Sequence, residues 1–333
     1  MEIILAKPRG FCAGVDRAVD TVELALRVFG RPIYVKHEIV HNTHVVEKLK
    51  NQGAIFVEDI MVIPQNARVI FSAHGVSPQV WTDAKAKSLK IIDATCPLVN
   101  RVHFEVKNFA KNGYEILLIG HRGHIEVEGT LGEAPDKVIL VTDLEEAKNV
   151  KVMNPEKVAV VSQTTLSLDD TSNIMKILKK RFPKLATPPK SDICYATTNR
   201  QSAVKQLAKL VELIIVVGSI QSSNANRLRE VSEAYGAKAY LVDSSEEINE
   251  KWFNGITNIG ITSGASTPEN IFNQIVKFIQ SITGADVKEL DNISEEVWFA
   301  LPEEIVKEAK SNPQGQELLQ KHNISKDVKM SIN

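Results

Sequence analysis

The chain has 333 residues, 43% hydrophobic and 24% charged, with 40 Lys and Arg against 41 Asp and Glu. That length supports more than one buried core, and the balanced charge, with no basic block or acidic tail, argues against nucleic acid or an anionic membrane as main partner. No apolar run approaches the ~18–20 residues of a membrane span and no secretory leader is visible, so the expectation is a cytoplasmic protein.

In chain order, residues 1–5 read as a short apolar strand and Val15 onward as an amphipathic helix, with the thiol of Cys12 in the glycine-flanked turn "RGFCAGV" between them. Strand-like runs follow at "PIYVKHEIV", "AIFVED" and "ARVIFSAHG", then a helix at "SPQVWTDAKAK". The order then repeats. After Cys96 come a helix at "NRVHFEVKNFAKNG", strands at "YEILLIGHRG", "VILVTD" and "KVAVVSQTT", and a helix at "LDDTSNIMKILKK". After Cys194 come a helix at "TNRQSAVKQLAKLV", strands at "ELIIVVGSIQ", "AYLVD" and "NIGITSGAS", and a helix at "TPENIFNQIVKF". The strands are β-branched and nearly continuous, as in a parallel sheet buried on both faces. A threefold repeat is the consequence. The predicted fold is α/β: three similar small parallel-sheet domains around a pseudo-threefold axis. The repeats are placed at residues 1–95, 96–190 and 191–285, with a C-terminal closure over 286–306 and a polar tail, helical or disordered, over 307–333. The first strand is counted with the first repeat, and its pairing with the last unit stays open.

Three distant cysteines do not form a disulfide framework. Their equivalent positions would bring them together near the pseudo-threefold axis. Ligands in open α/β sheets bind beyond the carboxyl ends of strands. The polar residues there are His41 and His74 in the first repeat, His124 and the run Gln163, Thr164 and Thr165 in the second, and Ser222, Ser223, Asn224 and Ser266 in the third. Several also stand where helices begin. Asn42 and Thr43 precede "HVVEKLK", Asn224 precedes "NRLREV", and "STPE" from Ser266 fits a capping box. Helix N-termini facing one cavity would hold a phosphate or diphosphate without a lysine cluster. His41, His74 and His124 match across repeats. His37, His44 and His121 serve structure equally well, and His103 and His322 have no repeat support. Glu126, two residues past His124, would point the same way in an extended segment and could deliver a proton from a dry cavity.

Three thiolates leave a metal centre one ligand short. Zinc with Cys₃ plus His or water is one option, and a 4Fe–4S cluster with one open iron is the other. One ligand from each of three domains points to a buried central cofactor.

The stretches "GFCAGVDRA", "DATCPLV", "GHRGHIEVEG", "SQTTLS", "SSNANRL" and "GASTPE" together resemble the 4-hydroxy-3-methylbut-2-enyl diphosphate reductases of the LytB family, over about residues 1 to 305. The resemblance implies one 4Fe–4S cluster with an open iron site, held by Cys12, Cys96 and Cys194. It implies diphosphate binding by His41, His74, His124, Ser222, Ser223, Asn224 and Ser266. It places Thr164 near the substrate hydroxyl and makes Glu126 the proton source. The implied reaction is reductive dehydroxylation to isopentenyl and dimethylallyl diphosphate, the last step of the non-mevalonate isoprenoid pathway. No G-x-G-x-x-G occurs, so electrons are expected from an external ferredoxin or flavodoxin. Rival readings are quinolinate synthase, an aconitase-like hydro-lyase, and a phosphate-ligand binding protein with incidental cysteines.

Overall fold

The computed structural model describes residues 1–290, 295–311, 313 and 315–320. Its strands, in chain order, are β1 (Glu2–Leu5), β2 (Ile33–Lys36), β3 (Ala54–Val57), β4 (Arg68–Phe71), β5 (Lys90–Asp93), β6 (Glu115–Ile119), β7 (Val138–Val141), β8 (Val158–Ser162), β9 (Leu213–Val217), β10 (Lys238–Val242), β11 (Asn258–Ser263) and β12 (Asp286–Glu289). They form three sheets of order β3-β2-β4-β5, β7-β6-β8 and β10-β9-β11-β1-β12. Every strand pairing in them is parallel.

The reason lies in the strand sequences. "LIIVV" in β9 and "VAVVS" in β8 are buried at every position, so both faces of these strands need a cover, which helical crossovers supply. Among the described residues six apolar clusters result. In the third sheet, Ile3, Ile215 and Ile261 pack on one face against Phe272 and Ile279, while Ile4, Ile214 and Val216 pack on the other against Val204 and Leu207.

The first strand does not belong with the first sheet. Glu2–Leu5 lies between β11 and β12, with Ile3 opposite both Ile259 and Val287. The chain therefore begins in the third sheet and crosses to the first at Cys12. The other two cysteines mark the same kind of crossing. Cys96 follows the edge strand β5 beside β4. Cys194 follows a segment that touches the second sheet through a parallel bridge between Ala159 and Ala186.

The end of the chain also departs from expectation. Of the closure, β12 is a strand, whereas residues 291–294 lie outside the described part. A helix, Glu303–Lys310, runs across the expected boundary at 306. Its Ile305 and Ala309, with Leu319, are buried in the core between the first sheet and the helix Ala13–Phe29. The described part of the tail is thus packed by its few apolar residues; His322 lies outside the described residues.

Candidate active site

Each cysteine is the residue just before a helix: Cys12 before Ala13–Phe29, Cys96 before Pro97–Lys111, Cys194 before Tyr195–Leu207. Each backbone N–H is held by a carbonyl that follows a β-strand in a sheet. Cys12 N donates to Ala265 O (3.2 Å), Cys96 N to Ala73 O (3.0 Å) and Cys194 N to Thr164 O (3.0 Å). The three thiols are free and line one cavity of about 780 Å³, counted out to its open mouth. A Cβ added to Gly14 would meet Cys96 Sγ at 2.7 Å and Cys12 Sγ at 3.9 Å. Only glycine lets the two sulfurs approach there.

Burial dominates the charge state of these thiols. It pushes Cys12 up to about 11 and Cys96 up to about 12, and it also raises Cys194. Helix N–H groups oppose it: those of Val15 and Gly14 at Cys12, Leu98 and Val99 at Cys96, and Thr197 at Cys194. Thr197 N lies 3.4 Å from Cys194 Sγ and its hydroxyl 3.2 Å. Thiolates would be stable here only beside a cation or metal.

The same cavity is lined by His41, His74, His124, Glu126, Thr164, Thr165, Ser222, Ser223, Asn224 and Ser266, whereas Gln163, Asn42 and Thr43 do not line it. The rings of His41 and His74 stack at 4.1 Å, and His124 stands edge-on to them at 5.5 and 6.1 Å. Burial, then the neighbouring His41, lowers His74 well below the usual imidazole range and His124 to about 3. A dianionic ligand would reverse this. Asn224 is buried, yet neither its amide nitrogen nor its oxygen has a partner in the protein. An orphan amide facing a cavity is suited to a polar ligand.

Glu126 is 3% exposed. It accepts hydrogen bonds from Thr164 N (2.6 Å) and Thr164 Oγ1 (3.0 Å). Burial nonetheless raises it to about 7. Its setting differs from the extended segment expected. His124 caps the helix Ile125–Leu131, its Nδ1 accepting from Glu126 N at 3.1 Å, and Glu126 lies in the first turn. The "STPE" capping box does not form either. The helix starts at Glu269, Ser266 Oγ donates to His41 O (3.0 Å) and Thr267 Oγ1 to Val217 O (2.8 Å). Tertiary carbonyls have taken both hydroxyls. Asn42 does cap its helix, accepting from Val45 N. At the third such start Ser222, not Asn224, is the cap, accepting from Ala225 N.

Residues 3–280 match the family model described as LytB protein. The chain belongs to the LytB family. A protein of Methylibium petroleiphilum is 50% identical over 301 residues, 90% of this chain and 92% of its own length. One of Acidothermus cellulolyticus is 52% identical over 310 residues, 93% and 91% respectively. Both are named 4-hydroxy-3-methylbut-2-enyl diphosphate reductase. The solved E-1-hydroxy-2-methyl-but-2-enyl-4-diphosphate reductase of Plasmodium falciparum superposes with a TM-score of 0.91 at 42% identity, covering 93% of this chain and 98% of that one. A second solved structure, titled as the terminal enzyme of the non-mevalonate pathway, gives 0.61 at 34% identity, covering 84% and 100%.

The other described histidines of this LytB-family chain do not line the cavity. His37 pairs with Glu58, His44 with Asp243 and His103 with Glu133, and His121 lines a neighbouring pocket. Other lining residues join the units to one another. Thr165 Oγ1 donates to Ser223 Oγ (3.0 Å), joining the second and third units. Tyr195 OH accepts from Ala13 N (3.0 Å), joining the third to the first. Thr165 belongs to the polar run that the sequence placed after the third strand of the second repeat. Sequence reasoning missed Tyr195, because its role depends on packing between distant segments.

Proposed function

We propose that this chain is a 4-hydroxy-3-methylbut-2-enyl diphosphate reductase, removing the allylic hydroxyl of its substrate as water with two electrons and two protons. The products are isopentenyl and dimethylallyl diphosphate. One observation carries the reading: three thiols, three clustered imidazoles and the Glu126–Thr164 pair share one cavity.

Cys12, Cys96 and Cys194 are the proposed ligands of a 4Fe–4S cluster with one open iron. Soft thiolates at three helix N-termini suit iron–sulfur ligation. When bound, the cluster supplies electrons and a Lewis-acid site. The protein does the rest. His41, His74 and His124, with Ser222, Ser223, Asn224 and Ser266, bind the diphosphate, and Asn224 supplies the partnerless amide. Thr164 positions the substrate hydroxyl. Glu126 carries a proton at neutral pH because it is buried, and releases it toward the leaving oxygen through Thr164. With no dinucleotide motif in the chain, we assign electron delivery to an external ferredoxin- or flavodoxin-type protein in the cytoplasm. Among the described residues, no helix is long and apolar enough to cross a membrane.

The test is iron and acid-labile sulfide on anaerobically purified protein, followed by turnover with a chemical reductant. About four of each per chain, with product formed, is the expected result. Protein that stays iron-free after anaerobic reconstitution yet binds diphosphate would overturn the reading in favour of a phosphate-ligand binding protein.

A further inference from the structure

Each cysteine is followed by an arginine at nearly the same offset: Arg17 five residues after Cys12, Arg101 five after Cys96, Arg200 six after Cys194. None of the three lines the cavity. Each instead reaches the loop that carries the next cysteine. Arg17 Nη1 donates to Thr95 O (3.0 Å), beside Cys96, and its Nη2 to Asp93 O (3.2 Å). Arg101 Nη2 donates to Ser191 O, ahead of Cys194. Arg200 Nη2 donates to Gly10 O (2.9 Å), ahead of Cys12. The circle closes because β1 lies in the third sheet.

The arginines differ in surroundings. Arg200 is wholly buried, and its Nη1 lies 3.0 Å from Glu295 Oε1. Arg17 is nearly buried and also holds Ala300 O through Nε at 2.7 Å. Arg101 is more exposed and faces Glu105 and Asp192 at 3.8 and 3.9 Å. A planar guanidinium holds two carbonyls, or a carbonyl and a carboxylate, in one fixed fork, whereas a lysine offers a point charge on a flexible stem.

We propose that Arg17, Arg101 and Arg200 form a cyclic clasp. Each ties the helix beginning at one thiol to the loop bearing the next, so that the three thiols keep one mutual spacing. They are positioning residues, and Arg17 and Arg200 also place positive charge beside the thiol cluster. This rests on the reading of the cysteines as cluster ligands.

The test has two parts. In the metal-free full chain, hydrogen exchange is measured for Arg17→Gln, Arg101→Gln and Arg200→Gln. Loss of a charged hydrogen bond should speed exchange by about tenfold or more, and crosswise: around Cys96, Cys194 and Cys12 respectively. Acceleration confined to the helix that carries the altered residue, or none, overturns the clasp. Should a Gln variant not fold, the corresponding Lys variant is read for the same pattern. In the reconstituted protein, Arg17→Gln and Arg200→Gln should lower the reduction potential, because a cation that favours the reduced cluster is gone. An unchanged potential overturns their proposed influence on the cluster. Wild-type protein that takes up no iron would instead defeat the cluster reading, while the exchange pattern still decides the clasp.

Discussion

In the metal-free protein Glu126 keeps its proton up to about pH 7, because burial outweighs the two hydrogen bonds that Thr164 donates. The folded state therefore binds more protons than the unfolded one between the ordinary value of 4.5 and about 7. Stability should fall as pH rises through that window, by a limit of about 3 kcal/mol. Glu126→Gln should remove this slope, so variant and wild type diverge in denaturant unfolding as pH rises from 5 to 8. Parallel curves would mean that Glu126 is not the titrating group. In the loaded enzyme the same variant should bind substrate and lose roughly a hundredfold or more in turnover, the scale of a missing general acid. The histidines give a second prediction. His74 and His124 are held neutral in the free protein, and a bound dianion raises both. Binding of inorganic diphosphate should thus take up protons, read by calorimetry in buffers of different ionisation enthalpy. Zero uptake would assign the imidazoles as neutral donors.

At the level of elements, the site is made of helix beginnings. The three cysteines, Asn42, His124 and Ser222 all precede a helix, so unpaired N–H groups and the positive ends of helices are directed where anionic ligands are expected. Gly14 is the tightest point of this arrangement. Gly14→Ala places a methyl 2.7 Å from Cys96 Sγ, inside van der Waals contact. The expected outcome is a folded protein that binds several-fold less iron, checked by iron content against unchanged far-ultraviolet dichroism. Full iron content would show that the two thiols can separate without loss.

Across the whole molecule, the three units are held together by segments exchanged between them. The first strand sits in the third sheet, and the helix Glu303–Lys310 returns to the core of the first. Ile305→Ala empties a fully buried position there and should cost about 2–4 kcal/mol in denaturant unfolding. A cost near zero would mean that this helix docks without contributing to the core.

Fold class, repeat and the polar residues that line the cavity were legible in the sequence for a local reason. Strand runs, glycine turns and polar residues after strands recur at similar offsets from each cysteine, and each is a property of a short stretch. Residues 1–5 look the same whichever sheet accepts them, since any β-branched edge can pair. Only the neighbouring β11 and β12 decided that. The hydroxyls of Ser266 and Thr267 satisfied a capping pattern on paper, and two distant carbonyls claimed them instead. Tyr195 and the crosswise arginine contacts depend on segments 76 to 190 residues apart. The sequence by itself determined which chemical groups are present and how they recur. Tertiary structure alone decided which of them meet, because hydrogen-bond partners and buried neighbours are chosen by proximity in space.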